Sequence, residues 1–173
     1  MALEEIPLAE LNTEEFIEQQ VAAISAAAGD DVVINALSGG VDSSVVTLLA
    51  HRALGDRLKS YFIENGLMRE GEPQQIVKWF ADLGVPVEVV DASDKFFAAL
   101  DGITDPEEKR ETGITQVFYK DVFADLVKES GATVLLQGTN YTDVEETAAG
   151  VKRQHNVFEQ IGIDPEEAFG YKV

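Results

Sequence analysis

A doubly wound, parallel α/β sheet is the fold that the sequence predicts, on two observations. Short β-branched runs alternate with stretches whose apolar residues recur at helical spacing. A glycine-rich turn, "ALSGGVDSSV" (36–45), falls between one such run and the helix that follows it. Strands that alternate with helices at this interval pair in parallel, because each helix carries the chain back across the sheet, and the result is Rossmann-like. With 173 residues and 45% hydrophobic content, the chain is long enough for one compact domain with its own core.

The elements follow in order. Ile17, Val21, Ile24 and Ala28 share one face of a helix over 13–27, with Asn12 or Thr13 as its cap and glutamates in its first turn. Residues 1–29 thus form an N-terminal helical segment, and 30–173 the main domain. Strand 32–37, helix 43–54 and strand 58–64 come next, then a helix over about 71–83 ending at Gly84, and strand 85–91. A short helical piece at 93–100 precedes a helix over about 105–130, started by Asp105 and Pro106. Strand 133–138 follows, and "YKV" at the end begins another strand. The aromatic residues Phe96, Phe97, Phe118, Tyr119 and Phe123 read as core.

Composition excludes several classes. There is no cysteine, hence no disulfide, thiolate metal site or cysteine nucleophile within these residues. A formal charge of −19 argues against nucleic-acid backbones and anionic membranes as partners. It implies a solvated acidic surface, of the kind suited to high salt. No apolar run approaches the roughly 18 to 20 residues of a membrane span, and acids stand where a signal peptide carries lysine or arginine, so a cytoplasmic location is expected.

In a parallel sheet, ligands bind at the carboxyl ends of the strands, and the turn at 38–40 lies on that edge. A Walker A loop needs a lysine after its last glycine, a dinucleotide fingerprint needs G-x-G-x-x-G, and a nucleophile elbow needs glycine two residues before the serine. None of these is present. "SGGVDSS" still suits an anion: Gly39 and Gly40 let amides turn inward, Ser38, Ser43 and Ser44 add hydroxyls, and a helix N-terminus follows. Asp42 reads as a magnesium ligand or as a helix cap.

This turn resembles the PP-loop, SGG-x-D-S, of the ATP pyrophosphatase superfamily. "FIENGLMREGE" (62–72), "VDASDKFFAALDGITDPEEKR" (90–110), "LLQGTNYTDVEE" (135–146) and "VKRQHNV" (151–157) are similar, in the same order, to stretches of the ATP pyrophosphatase domain of the GMP synthase family. The resemblance implies an adenine nucleotide alpha hydrolase-like fold, ATP and magnesium as cofactors, and adenylylation of an acceptor oxygen with release of pyrophosphate. In that family the acceptor is xanthosine monophosphate (XMP), a glutaminase subunit or domain supplies ammonia, and a C-terminal domain that binds XMP and forms a homodimer completes the protein. No counterpart of that domain is found in these residues, so an incomplete C-terminus is expected.

Carried over by residue, the resemblance implies that Ser38, Gly39, Gly40, Asp42, Ser43 and Ser44 hold the pyrophosphate part of ATP. Phe62, Ile63 and Glu64 border the adenosine, and Gly138 and Thr139 sit near the α-phosphate. Asp143 and Glu146 join Asp42 as magnesium ligands, and Lys152 and His155 contact the transition state from a lid. Glu64 stands where the family usually has aspartate, and "FEQIGIDPEE" replaces the glycine-rich continuation after "HNV". Two other classes stay open: a PP-loop enzyme with another acceptor, in sulfur insertion or tRNA modification, and an ATP-binding module without catalysis.

Overall fold

The computed structural model describes Pro7, residues 10–149 and Lys172. Asn12 caps α1 (Thr13–Ala28), its side chain accepting from the Glu15 amide. There follow β1 (Val33–Ala36), α2 (Val41–Leu54), a 3-10 turn (Gly55–Arg57) and β2 (Leu58–Glu64). Next come α3 (Glu72–Asp82), β3 (Glu88–Asp91) and α4 (Ser93–Leu100). A long helical rod consists of α5 (Pro106–Arg110), a π-helical stretch (Glu111–Phe123) and α6 (Ala124–Ser130), after which come β4 (Val134–Leu136) and α7 (Tyr141–Ala148).

Among the described residues four strands pair in parallel, in the order β3-β2-β1-β4. Lys172 bridges Val134 in parallel on the far side of β4, where a strand at "YKV" was expected. Alternation along the strands explains why both faces are covered. Val33 and Leu58 point toward α1 and α2, packing with Ala28, Ala50 and Leu54. Phe62 packs with Leu37, Ile76, Phe80 and Val85 on the α3 side. Ile34, Tyr61 and Ile63 face oppositely, onto Phe96 and the rod residues Val117, Tyr119, Val122 and Phe123. The sheet is therefore wound on both faces.

Several expectations change. β3 begins at Glu88 rather than residue 85, because the Val85 amide closes the end of α3 on the Phe80 carbonyl and Pro86 has no amide for a ladder. α2 begins at Val41, two residues early, since the Gly40 carbonyl already accepts from the Ser44 amide and from both the Ser43 and Ser44 hydroxyls. Phe97 is not core: it is 51% exposed, because adjacent helical residues cannot face the same way and Phe96 takes the inward position. Its ring instead covers Gly66, where an added Cβ would run into the Phe97 ring.

The rod spans the range expected of one helix, but Glu111–Phe123 is wound as a π-helix. With i→i+5 bonding a turn holds between four and five residues, so residues four and five apart share a face. Phe118 and Phe123 accordingly stack, 5.9 Å between centroids and 6° between planes, and Tyr119 meets both edge-on. Among the described residues no helix is long and apolar enough to cross a membrane.

Candidate functional site

The connection β1–α2–β2 runs one way from β1 and the connection into β4 arrives on its other side. Loops diverge at such a switch point, leaving a crevice at the carboxyl edge. The β1–α2 loop sits there. Ser38 is exposed at the end of β1, Gly39 takes φ +79°, and Gly40 stands at the N-cap of α2 with no side-chain cap bond. Gly39 thus needs glycine for its backbone, whereas a Cβ on Gly40 would meet only the Ser38 Oγ, at 3.4 Å. The Ser38 and Ser43 hydroxyls lie 2.9 Å apart, Ser43 Oγ accepts from the Ser38 amide, and Ser38 Oγ accepts from the Gly40 amide. The amides of the first turn of α2 have no acceptor within the helix, and its positive end faces the crevice.

A buried polar chain holds this loop to the sheet. The Ser60 hydroxyl donates to Asn35 Oδ1 (2.7 Å), Asn35 Nδ2 donates to Thr47 Oγ1 (2.6 Å), and the Thr47 hydroxyl donates to the Ser43 carbonyl (2.7 Å). Asn35, Thr47 and Ser60 are all buried. Every link is satisfied, so the chain rigidifies the first turn of α2 against β1 and β2.

Opposite stands the β4–α7 loop. A Cβ on Gly138 would lie 3.0 Å from both C and O of Asp42, so this backbone presses directly on the first turn of α2. Asp42 does not cap its helix. Its Oδ2 accepts from Asn140 Nδ2 at 3.0 Å, a contact across 98 residues of sequence. Asn140 also caps α7, its Oδ1 accepting from the Asp143 amide while Asp143 Oδ2 accepts from the Asn140 amide. Thr139 is exposed in the same loop.

These loops bound a cleft of about 410 Å³. Its polar rim includes Ser38, Gly40, Asp42, Ser43, Gly138 and Asp143, and its walls include Ile114, Phe118, Tyr119 and Phe123 of the rod. Ile114, Phe118, Tyr119 and Phe123 are spaced four and five residues apart, and the π winding presents all of them to the cleft. Gln137 at the floor donates from Nε2 to the Tyr119 hydroxyl (2.8 Å), and its Oε1 is buried without a partner among the described residues. Burial pushes the Tyr119 phenol well above its ordinary range, against the opposing pull of Gln137.

The implied site residues are distributed as follows. Ser38, Gly40, Asp42, Ser43, Gly138 and Asp143 line the cleft. Gly39 and Ser44 belong to the same loop, Ser44 by its bond to the Gly40 carbonyl. Phe62 is fully buried beneath Gly39, and Ile63 lines a neighbouring cavity of about 140 Å³. Glu64 accepts from the Gly66 amide (2.7 Å) and so shapes the loop after β2, from which Asn65 and Met68 reach the cleft. Lys152 and His155 lie outside the described residues, as does the side chain of Glu146. Missed from sequence were Asn140 and the cleft-facing aromatic residues, whose spacing was read as core alone. Among the described residues no three His, Cys, Asp or Glu side chains converge to hold a metal by themselves.

Comparison with known proteins agrees with this fold. Residues 15–140 match the family model described as asparagine synthase. A subunit of the glutamine-hydrolyzing GMP synthase of Methanoculleus marisnigri is 52% identical over 147 residues, covering 85% of this chain and 47% of the relative. The corresponding subunit from Pyrococcus furiosus is 49% identical over 145 residues, covering 83% and 46%. The chain thus spans just under half the length of these relatives. Among solved structures, the NH3-dependent NAD synthetase of Campylobacter jejuni superposes with a TM-score of 0.63 at 15% identity, over 78% of this chain and 59% of that one. The glutamine-dependent NAD+ synthetase of Acinetobacter baumannii, solved with ADP, gives 0.62 at 20%, over 87% and 29%. At these identities the two structures share the fold. The family match over residues 15–140, on a parallel sheet with an SGG-x-D-S loop at its carboxyl edge, places the chain in the asparagine synthase family of PP-loop ATP pyrophosphatases.

Proposed function

We propose that the chain binds MgATP through residues 38–44 and adenylylates an acceptor oxygen with release of pyrophosphate, in the manner of XMP amination to GMP. One observation carries this reading: an uncapped helix N-terminus, with serine hydroxyls and glycine amides, opens onto an aromatic-walled cleft of nucleotide size. The 49% and 52% identity to the two GMP synthase subunits supports the choice of acceptor.

On this reading the first-turn amides of α2 and the Ser38, Ser43 and Ser44 hydroxyls take the β- and γ-phosphates. Gly138 and Thr139 lie beside the α-phosphate, and the rod aromatics bound the adenosine, with Ile63 in the adjoining cavity and Glu64 shaping the loop after β2, while Phe62 supports Gly39 from the other face of the sheet. The acceptor oxygen attacks the α-phosphorus, the bond to the bridging oxygen breaks, and pyrophosphate departs. Ammonia then displaces AMP from the adenylylated carbon. Lys152 and His155 offset the charge that develops as pyrophosphate leaves.

Magnesium fits the donors present. Asp42 and Asp143 supply hard oxygens on one rim, joined through Asn140, and two carboxylates completed by phosphate and water are the usual protein share of such a site. Glu146 is a third candidate. The bound ion would neutralise phosphate charge in an otherwise acidic molecule. The relatives are named as one subunit of a glutamine-hydrolyzing enzyme, which supports a glutaminase partner as ammonia source, and a homodimer and a cytoplasmic location belong to the same proposal.

The test is titration of MgATP into wild type and Gly40→Val. Gly40 has an ordinary φ of −75° and room for a Cβ, so the variant folds while its branched side chain occupies the phosphate approach. Binding lost in the folded variant supports the reading, and AMP and pyrophosphate formed with XMP and ammonia would establish the acceptor. Undiminished binding in Gly40→Val overturns it.

A further inference from the structure

We infer that Asn140 is a positioning residue: it locks the Asp42 carboxylate of the phosphate loop to the start of α7, holding Asp42 and Asp143 in the one arrangement that accepts magnesium. This role deepens the nucleotide reading above and rests on it.

Two independent contacts tie the β4–α7 loop to the phosphate loop. The first is steric: Gly138 sits so close to Asp42 that an added Cβ would lie 3.0 Å from its carbonyl carbon and oxygen. That contact fixes backbones but leaves the Asp42 side chain able to rotate. The second contact removes that freedom. Asn140 Nδ2 donates to Asp42 Oδ2, and this is the only side-chain hydrogen bond of Asp42 among the described residues. The same Asn140 side chain accepts from the Asp143 amide, and the Asn140 amide donates to Asp143 Oδ2.

One neutral side chain therefore stands between two carboxylates. Asp42 is exposed and lies in a molecule of net charge −19, so without a donor its carboxylate would turn away from Asp143. Asn140 supplies that donor without adding charge. Magnesium demands near-octahedral geometry and tolerates misplaced ligands poorly, so a carboxylate already turned toward the rim contributes most when its orientation is set beforehand. Each function of Asn140 uses a different atom: Oδ1 caps the helix, and Nδ2 orients Asp42.

That division makes the role separable from stability. Serine caps helices about as well as asparagine, and threonine somewhat less well, but neither carries an amide that could reach Asp42. ATP is titrated calorimetrically into wild type, Asn140→Ser and Asn140→Thr across a range of MgCl2 concentrations and in EDTA, with thermal midpoints measured alongside. Both variants are expected to keep the wild-type midpoint and ATP affinity in EDTA, while the MgCl2 concentration that gives half of the affinity gain rises about 10-fold, as for loss of a partner that orients a metal ligand. A half-saturating MgCl2 concentration within about twofold of wild type in both variants overturns the inference and leaves the nucleotide reading standing. So does a wild type that binds ATP equally with and without MgCl2. A wild type that binds no ATP at all overturns the nucleotide reading and this inference with it.

Discussion

Tyr119 links core and cleft. Its ring is 5% exposed and packs against Phe118 and Phe123, while its hydroxyl accepts from Gln137. Burial raises the phenol above its ordinary value of 10.0, so the folded state favours the neutral form. The stability this group contributes is complete below pH 10 and is lost as pH rises beyond it, where the unfolded phenol ionises and the folded one does not. Urea unfolding at pH 9 and pH 11 is therefore expected to show a smaller loss in Tyr119→Phe than in wild type, by up to about 1.4 kcal/mol per pH unit. Equal losses would mean that the ring ionises in place. Tyr61, also raised by burial, keeps some decline in the variant. At the residue scale the candidate site was only partly legible: the serines and glycines of the loop declare themselves by type, whereas Asn140 meets Asp42 through a contact across 98 residues that no local pattern encodes.

Elements meet at the site through backbone closeness more than through side chains. Gly138 is the clearest case, and the prediction for it concerns two elements at once. A Cβ in Gly138→Ala drives the β4–α7 loop off the first turn of α2, since the atoms it meets are backbone and cannot rotate aside. Unfolding free energy is expected to drop by about 1–3 kcal/mol, and MgATP affinity to fall with it. Chemical denaturation paired with titration checks both, and an unchanged affinity would mean that the loops bind independently. The alternation of strand and helix was readable because both periodicities are strong over the buried runs. The π winding of Glu111–Phe123 was not, because its apolar residues satisfy a helical pattern whether turns close at four residues or five. The difference decides which aromatic faces the cleft.

Over the whole molecule, charge outweighs every other surface property. A net −19 on 18.8 kDa makes the compact state repel itself, and the described surface pairs are few and exposed, such as Lys78 with Asp82 and Arg69 with Glu72. Salt should stabilise. Raising NaCl until the Debye length shrinks from about 10 Å to about 3 Å is expected to lift the thermal midpoint by about 3 °C or more. A midpoint that stays level or falls would show that the acids are balanced locally. This property was legible from composition alone, because it depends on counts. The strand order β3-β2-β1-β4 was not, since it depends on which face each crossover takes.

The π-wound wall has a consequence for how the cleft can vary. An i→i+5 turn holds one residue more than an α turn, so a wall built this way can shed or gain a single residue by passing between the two windings. The sheet and the β1–α2 loop are anchored elsewhere, by strand pairing and by the Ser60, Asn35 and Thr47 chain, and need not move. Two halves of one pocket are thereby open to different kinds of genetic change. The hydroxyls and amides of the rigid loop respond to point substitution, and the width of the cleft responds to single-codon insertion or deletion in the rod.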